Sequence, residues 1–220
     1  MLSADAQRLL DFWFDVPGGP SWNTYRRAWF KKDPAFDAAV CEAFMPMWQA
    51  ACERLNVVGP AASPASNPAA SLAGNAAADG CAPDDWSVTP EGACARIVLL
   101  DQIPRNAFRG DPRAFATDPA ALALTRRVIA LGWDREMPTP LHRMFCYMPL
   151  QHVEDLDAQH ESVRQLERLR DETGIDTVYW ARKHRDIIAR FGRFPHRNAI
   201  LGRASTDEEA KFLEEPGSSF

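Results

Sequence analysis

The residues best equipped for chemistry fall in two clusters far apart along the 220-residue chain. One holds Asp101, Arg105, Asn106 and Arg109; the other holds Arg193, His196, Arg197 and Asn198, with Arg203 just beyond. Guanidinium forks and an imidazole suit planar oxyanions such as carboxylate and phosphate, because parallel N–H donors can meet two oxygens at once. Asp101 shares a face with Cys94, Ile97 and Val98 in a nearly all-apolar helical stretch. A carboxylate there meets desolvation and the negative end of the helix dipole, so it needs a cationic partner. Arg105 and Arg109 are nearest in sequence, and an arginine of 190–197 would also serve. Two readings follow. In the structural one, an Asp–Arg pair locks the loop 104–112, and arginines satisfy carbonyls left over at helix ends. In the functional one, the two arginine-bearing turns converge into an anion pocket fixed by the packing of Phe194. His152 is grouped with that pocket.

Other signatures are missing or weak. There is no G-x-S-x-G, no P-loop and no G-x-G-x-x-G. His152, Asp155 and His160 match neither H-E-x-x-H nor a Glu-x-x-His carboxylate pair, so neither metal nor cofactor is expected. His160 and His184 lie in apolar stripes and read as core residues. His184-Arg185-Asp186 echoes a kinase catalytic loop without the glycine-rich loop or Asp-Phe-Gly that such a loop requires. Cys146 follows His142 by one helical turn, the single spacing that could make a thiolate site. Five cysteines with no C-x-x-C read as free thiols in a reducing compartment.

The elements that must position these residues read as helices throughout. Asp33-Pro34, Thr89-Pro90, Asp118-Pro119 and Thr139-Pro140 each set a capping oxygen before a proline. The oxygen takes an unpaired N–H, and proline at the first helical position gives up a donor that had no partner. Ser205-Thr206-Asp207-Glu208 fits a capping box, and Asp155 or one of its neighbours opens the segment running to Leu169. Apolar stripes at 3–4 spacing follow these starts: Leu9, Phe12, Trp13 and Val16; Phe36, Val40, Phe44 and Met47, bent at Pro46; and Leu141, Met144, Phe145 and Met148. The run 93–103 is apolar almost all round, which predicts the most buried helix, ended by Pro104. Residues 151–176 carry a net −5 and residues 179–203 a net +6, which fits either two helices paired as a hairpin or a solvated surface that is polarised. The expected fold class is all-α: antiparallel helical hairpins, about seven to nine helices, in one domain over 1–220. Residues 59–83, dominated by Ala, Pro, Gly and Ser, read as a flexible insertion.

Several of these segments carry a resemblance. Leu99-Leu100-Asp101-Gln102-Ile103-Pro104-Arg105-Asn106, Arg109-Gly110-Asp111-Pro112-Arg113, His184-Arg185-Asp186-Ile187-Ile188 and Phe191-Gly192-Arg193-Phe194-Pro195-His196-Arg197-Asn198 are similar to the bacterial family of unknown function number 924. So are Asp11-Phe12-Trp13-Phe14 and the tail Glu215-Pro216-Gly217-Ser218-Ser219-Phe220. The resemblance covers nearly the whole chain except 56–83. It implies a fold like tetratricopeptide helical hairpins, in a right-handed superhelix, and no established activity. Around His152 the family carries a glutamate before the histidine and a serine after it, where this chain has Gln151 and Val153.

With a net charge of −5 and no apolar run near the roughly 18 residues of a membrane span, neither nucleic acid nor membrane is expected as a partner. The N-terminus lacks the basic and apolar regions of a secretory signal, so a cytoplasmic protein is expected. The leading expectation is a non-enzymatic helical module. Its arginine-lined groove would take an anionic small molecule or an acidic protein segment. The alternative is a small enzyme with His152 or His196 as acid–base and arginines stabilising an oxyanion. Oligomeric state carries no sequence signal.

Overall fold

The computed structural model describes residues 2–57 and 85–219. The expected insertion at 59–83 lies outside the described residues. The described residues form nine α-helical segments: α1 (Ala4–Phe14), α2 (Pro34–Arg54), α3 (Pro90–Ile97), α4 (Ile103–Ala107), α5 (Asp118–Ala130), α6 (Pro140–His152), α7 (Leu156–Thr173), α8 (Val178–Phe191) and α9 (Asp207–Leu213). A π-helical turn, Val98–Gln102, joins α3 to α4 without a break, leaving eight helical rods among the described residues. The described residues contain no strand, as the helical periodicity predicts.

Most of the expected starts hold. Asp33 accepts from the N–H groups of Ala35 and Phe36, Thr89 from Gly92, Thr139 from His142 and Asp155 from Ala158. Two differ. The capping box sits one residue later than the sequence pattern placed it, on Thr206 and Glu209. Asp118 caps nothing, because helix α5 begins with it and its carboxylate is committed to Arg105 instead. Gly92 is required by close approach: a Cβ there would lie 2.0 Å from the Trp86 carbonyl oxygen.

The rod α3–α4 is the buried centre, with every residue from Gly92 to Pro104 buried. Pro104 does not end it. Proline has no N–H to offer the carbonyl four residues back, Leu100. That oxygen accepts instead from the Thr117 hydroxyl at 2.5 Å, which in turn accepts from the Trp48 indole at 3.3 Å. The π turn widens the ladder just before the proline, and Asn106 donates to the Gln102 carbonyl at 3.1 Å. With these oxygens satisfied from the side, the helix continues through α4.

Around this rod, Trp13, Phe14, Trp29 and Phe145 form an aromatic layer with ring centroids 4.9–6.3 Å apart. The second aromatic of each pair adds about 0.5–1.5 kcal/mol beyond burial. Helices α7 and α8 form the expected hairpin: four residues connect them, Gly174 closes α7 in the left-handed region, and Arg182 meets Glu167 at 2.6 Å across the seam. A satellite cluster of Ile187, Ile188 and Phe194 packs beside Phe191 and Phe212, placing the 191–203 turn. No helix among the described residues is long and apolar enough to cross a membrane.

Candidate functional site

Asp101 lies inside the π turn and is completely buried. The extra residue of such a turn points a side chain where regular helical spacing would not. Its Oδ1 meets His152 Nδ1 at 2.7 Å and Arg105 Nη1 at 3.1 Å, and its Oδ2 accepts from Gln102 Nε2 at 2.6 Å. Burial alone would push this carboxyl up. The Arg105 charge and the histidine contact outweigh burial and hold it below the usual carboxylate range. An ionised Asp101 only accepts, so His152 carries its proton on Nδ1. Burial, aided by the Arg105 charge, lowers the His152 pKa. Neutral His152 thus has a bare lone pair on Nε2, the arrangement of a general base held by a carboxylate.

Arg105 bridges two elements. Its fork grips Asp118, the first residue of α5, at 2.7 and 2.8 Å, and Nη1 also reaches the Asp101 carbonyl at 2.6 Å. Two carboxylates raise its pKa against the pull of burial.

Arg197 arrives from the other arginine-bearing turn. Its guanidinium is stacked between Phe115 and Phe194, 4.5 Å from each ring centroid. Nη1 donates to the His152 carbonyl at 2.9 Å and lies 3.9 Å from Asp118 Oδ2. Nε is buried and has no hydrogen-bond partner. Burial lowers the Arg197 pKa to about 10; Asp118 opposes that shift and Arg105 adds to it. The two turns therefore meet around Asp101 and Asp118 through Arg105, Arg197 and His152.

The remaining predicted positions go elsewhere. Arg109 forks onto Asp37 of α2 at 2.8 and 2.9 Å and onto Asn106 Oδ1 at 2.8 Å. Arg193 forks onto Glu209 of α9 and reaches the Ala204 carbonyl. Asn198 donates to Ser205 Oγ and accepts from Arg203, whose fork holds Glu154 at 2.6 and 2.9 Å. His196 lies against the Phe194 ring, and burial followed by the Arg197 charge lowers its pKa to about 4. His184 Nδ1 donates to the Trp180 carbonyl, 2.8 Å away, and burial takes its pKa to about 3.

Sequence reasoning missed Asp118, Phe115 and Glu154. Asp118 was hidden by its apparent role as a helix cap, and Glu154 by its place in an acidic surface stretch. Thr117 was equally silent, although Pro104 implies an orphan carbonyl that some donor must meet. Among the described residues no group of three or more His, Cys, Asp or Glu is placed to hold a metal ion.

The whole arrangement can be set beside other proteins. The family model described as "Bacterial protein of unknown function (DUF924)" matches residues 9–217. A solved structure of a protein of unknown function from Agrobacterium tumefaciens is 34% identical, with a TM-score of 0.71 over 95% of this chain and 96% of that one. No curated protein matches. Both the sequence match and the shared helical architecture run through α1 to α9, and the chain belongs to the DUF924 family of bacterial proteins of unknown function.

Proposed function

We propose that this chain is a helical binding module that takes a single small oxyanion, a carboxylate or phosphate group, at Arg197. One observation carries the reading: a buried guanidinium whose hydrogen bonding among the described residues is confined to Nη1, with Nε unmet. A buried charge is costly unless paired, and the stacking of Phe115 and Phe194 supplies only part of the compensation. The Nε edge of a guanidinium is one of the two edges that receive an oxyanion through parallel donors. Arg193, Arg203 and Arg109 are already forked onto Glu209, Glu154 and Asp37, so the reading centres on one arginine rather than a groove of many. The acidic end of a partner protein would present the same carboxylate.

Calorimetric titration with acetate, succinate and inorganic phosphate tests this, comparing the unaltered chain with Arg197→Lys and Arg109→Ala. Saturable binding that Arg197→Lys weakens about tenfold or more, and Arg109→Ala leaves alone, supports it. Absence of saturable binding, or binding indifferent to Arg197→Lys, overturns it.

A second reading has its own observation, the 2.7 Å contact of Asp101 with His152. There His152 Nε2 would act as general base toward a bound ligand. Turnover of an ester or phosphoester that disappears in His152→Gln, while oxyanion binding persists, would favour it.

A further inference from the structure

A cavity of about 400 Å³ opens between α1, the loop that follows it, the start of α3 and the start of α6. That volume is within the range of small-ligand sites. Leu10, Trp22 and Pro138 supply an apolar wall, and Asp11 and Glu91 bring two carboxylates; among the described residues no Lys or Arg lines it.

His142 also lines this cavity, although its residue is only 1% exposed. Its ring lies on Phe14 with centroids 3.7 Å apart, and Trp22 stands 5.2 Å away. Nδ1 is 2.8 Å from the Thr139 hydroxyl, whereas Nε2 has no hydrogen-bond partner among the described residues. The packing fixes the ring, so this nitrogen cannot turn away to find one. Burial lowers the His142 pKa to about 4, which makes the imidazole neutral at pH 7. Nε2 is thus left unpartnered beside the cavity, and it is an acceptor in the tautomer that carries the ring proton on Nδ1. Asp11 Oδ1 takes Gln7 Nε2 at 2.7 Å, leaving Oδ2 open, and Glu91 has no partner among the described residues. The wall thus offers two anionic acceptors and one unpartnered imidazole nitrogen, beside an indole ring and aliphatic surface.

We propose that this cavity binds a small organic cation, a primary amine carried on a hydrocarbon body. An ammonium has three donors and no acceptor; two meet Asp11 and Glu91, and the third selects the His142 tautomer whose Nε2 accepts. The indole of Trp22 attracts a cation at its face, and Leu10 and Pro138 take the hydrocarbon. This site shares no residue with Arg197, so the two proposals stand or fall separately.

Calorimetry of the full chain with benzylamine, and with benzyl alcohol and benzoate as neutral and anionic counterparts, decides the matter. Benzylamine is expected to bind saturably and the counterparts not to. Glu91→Gln and Asp11→Asn should each weaken benzylamine about tenfold, while Arg197→Lys leaves it unchanged. Circular dichroism of each variant confirms that it is folded, and Glu91→Gln alone suffices if Asp11→Asn is not. No saturation at millimolar benzylamine, equal binding of benzyl alcohol, or affinity untouched by Glu91→Gln would each overturn the proposal.

Discussion

Lowering the pH from about 7.5 to about 5 strips this fold of stability; three strongly perturbed imidazoles set a floor for the amount, and His152 adds to it. Burial brings His142 and His196 to about 4 and His184 to about 3, from the 6.5 of an exposed histidine. The folded pKa is depressed in each case. The contribution is therefore complete above pH 6.5 and is lost as pH falls toward 4 and 3, because the unfolded chain binds a proton that the folded chain refuses. At pH 5 each imidazole is 1.5 units below its unfolded value, or about 2 kcal/mol, so the three together remove about 6 kcal/mol. A domain of ordinary stability has about 5–15 kcal/mol in total, so the protein should be near unfolding there. Urea melts at a series of pH values, followed by circular dichroism, measure the slope; near pH 5.5 unfolding should take up close to three protons. His184→Gln should flatten the slope by about one proton, whatever it does to the stability at pH 7.5. A loss below about 2 kcal/mol across this range, or uptake under one proton, would refute the burial assigned to these rings.

Three substitutions probe the central rod. Asp101→Asn keeps the shape but removes the charge that Arg105 and His152 face; urea melts at neutral pH should show a loss of about 3–5 kcal/mol. Thr117→Val exposes the Leu100 carbonyl and the Trp48 indole to an apolar methyl, for a loss of about 1–3 kcal/mol in the same assay. Arg109→Ala breaks a half-exposed fork onto Asp37 and should cost less than about 1 kcal/mol, setting it apart from Arg105 despite their equal standing in the sequence.

The helices were legible because their signals are local. Asp33, Thr89, Thr139 and Asp155 cap where a polar oxygen before an apolar stripe predicts, and the opposite charges of 151–176 and 179–203 mark a real hairpin. Asp101 was legible as a buried acid in need of a cation, since so few polar residues interrupt 93–103. What the sequence could not carry was partner choice. Arg105 and Arg109 are four residues apart, one in α4 and the other in the turn just beyond it, yet one turns inward to Asp118 and the other outward to Asp37. Their difference depends on which helices lie alongside, a long-range property that no local pattern encodes. Pro104 misled for a related reason: its missing donor is compensated by Thr117, which lies on a separate segment 13 residues further on.

The five-residue coil at Val98–Gln102 also has a consequence for how the gene can change. Each residue of a regular helix advances the azimuth by about 100°. A π turn spreads five residues over roughly the rotation that four make in α geometry. Excising one codon here would let the coil relax into an ordinary α turn with its flanks nearly in phase, so that Ile103 still faces the core and Arg105 still meets Asp118. Excision in the regular segments on either side has no such outlet and would swing everything beyond it by about 100°. The wide turn is therefore the one place where this rod can lose a residue and keep both of its faces.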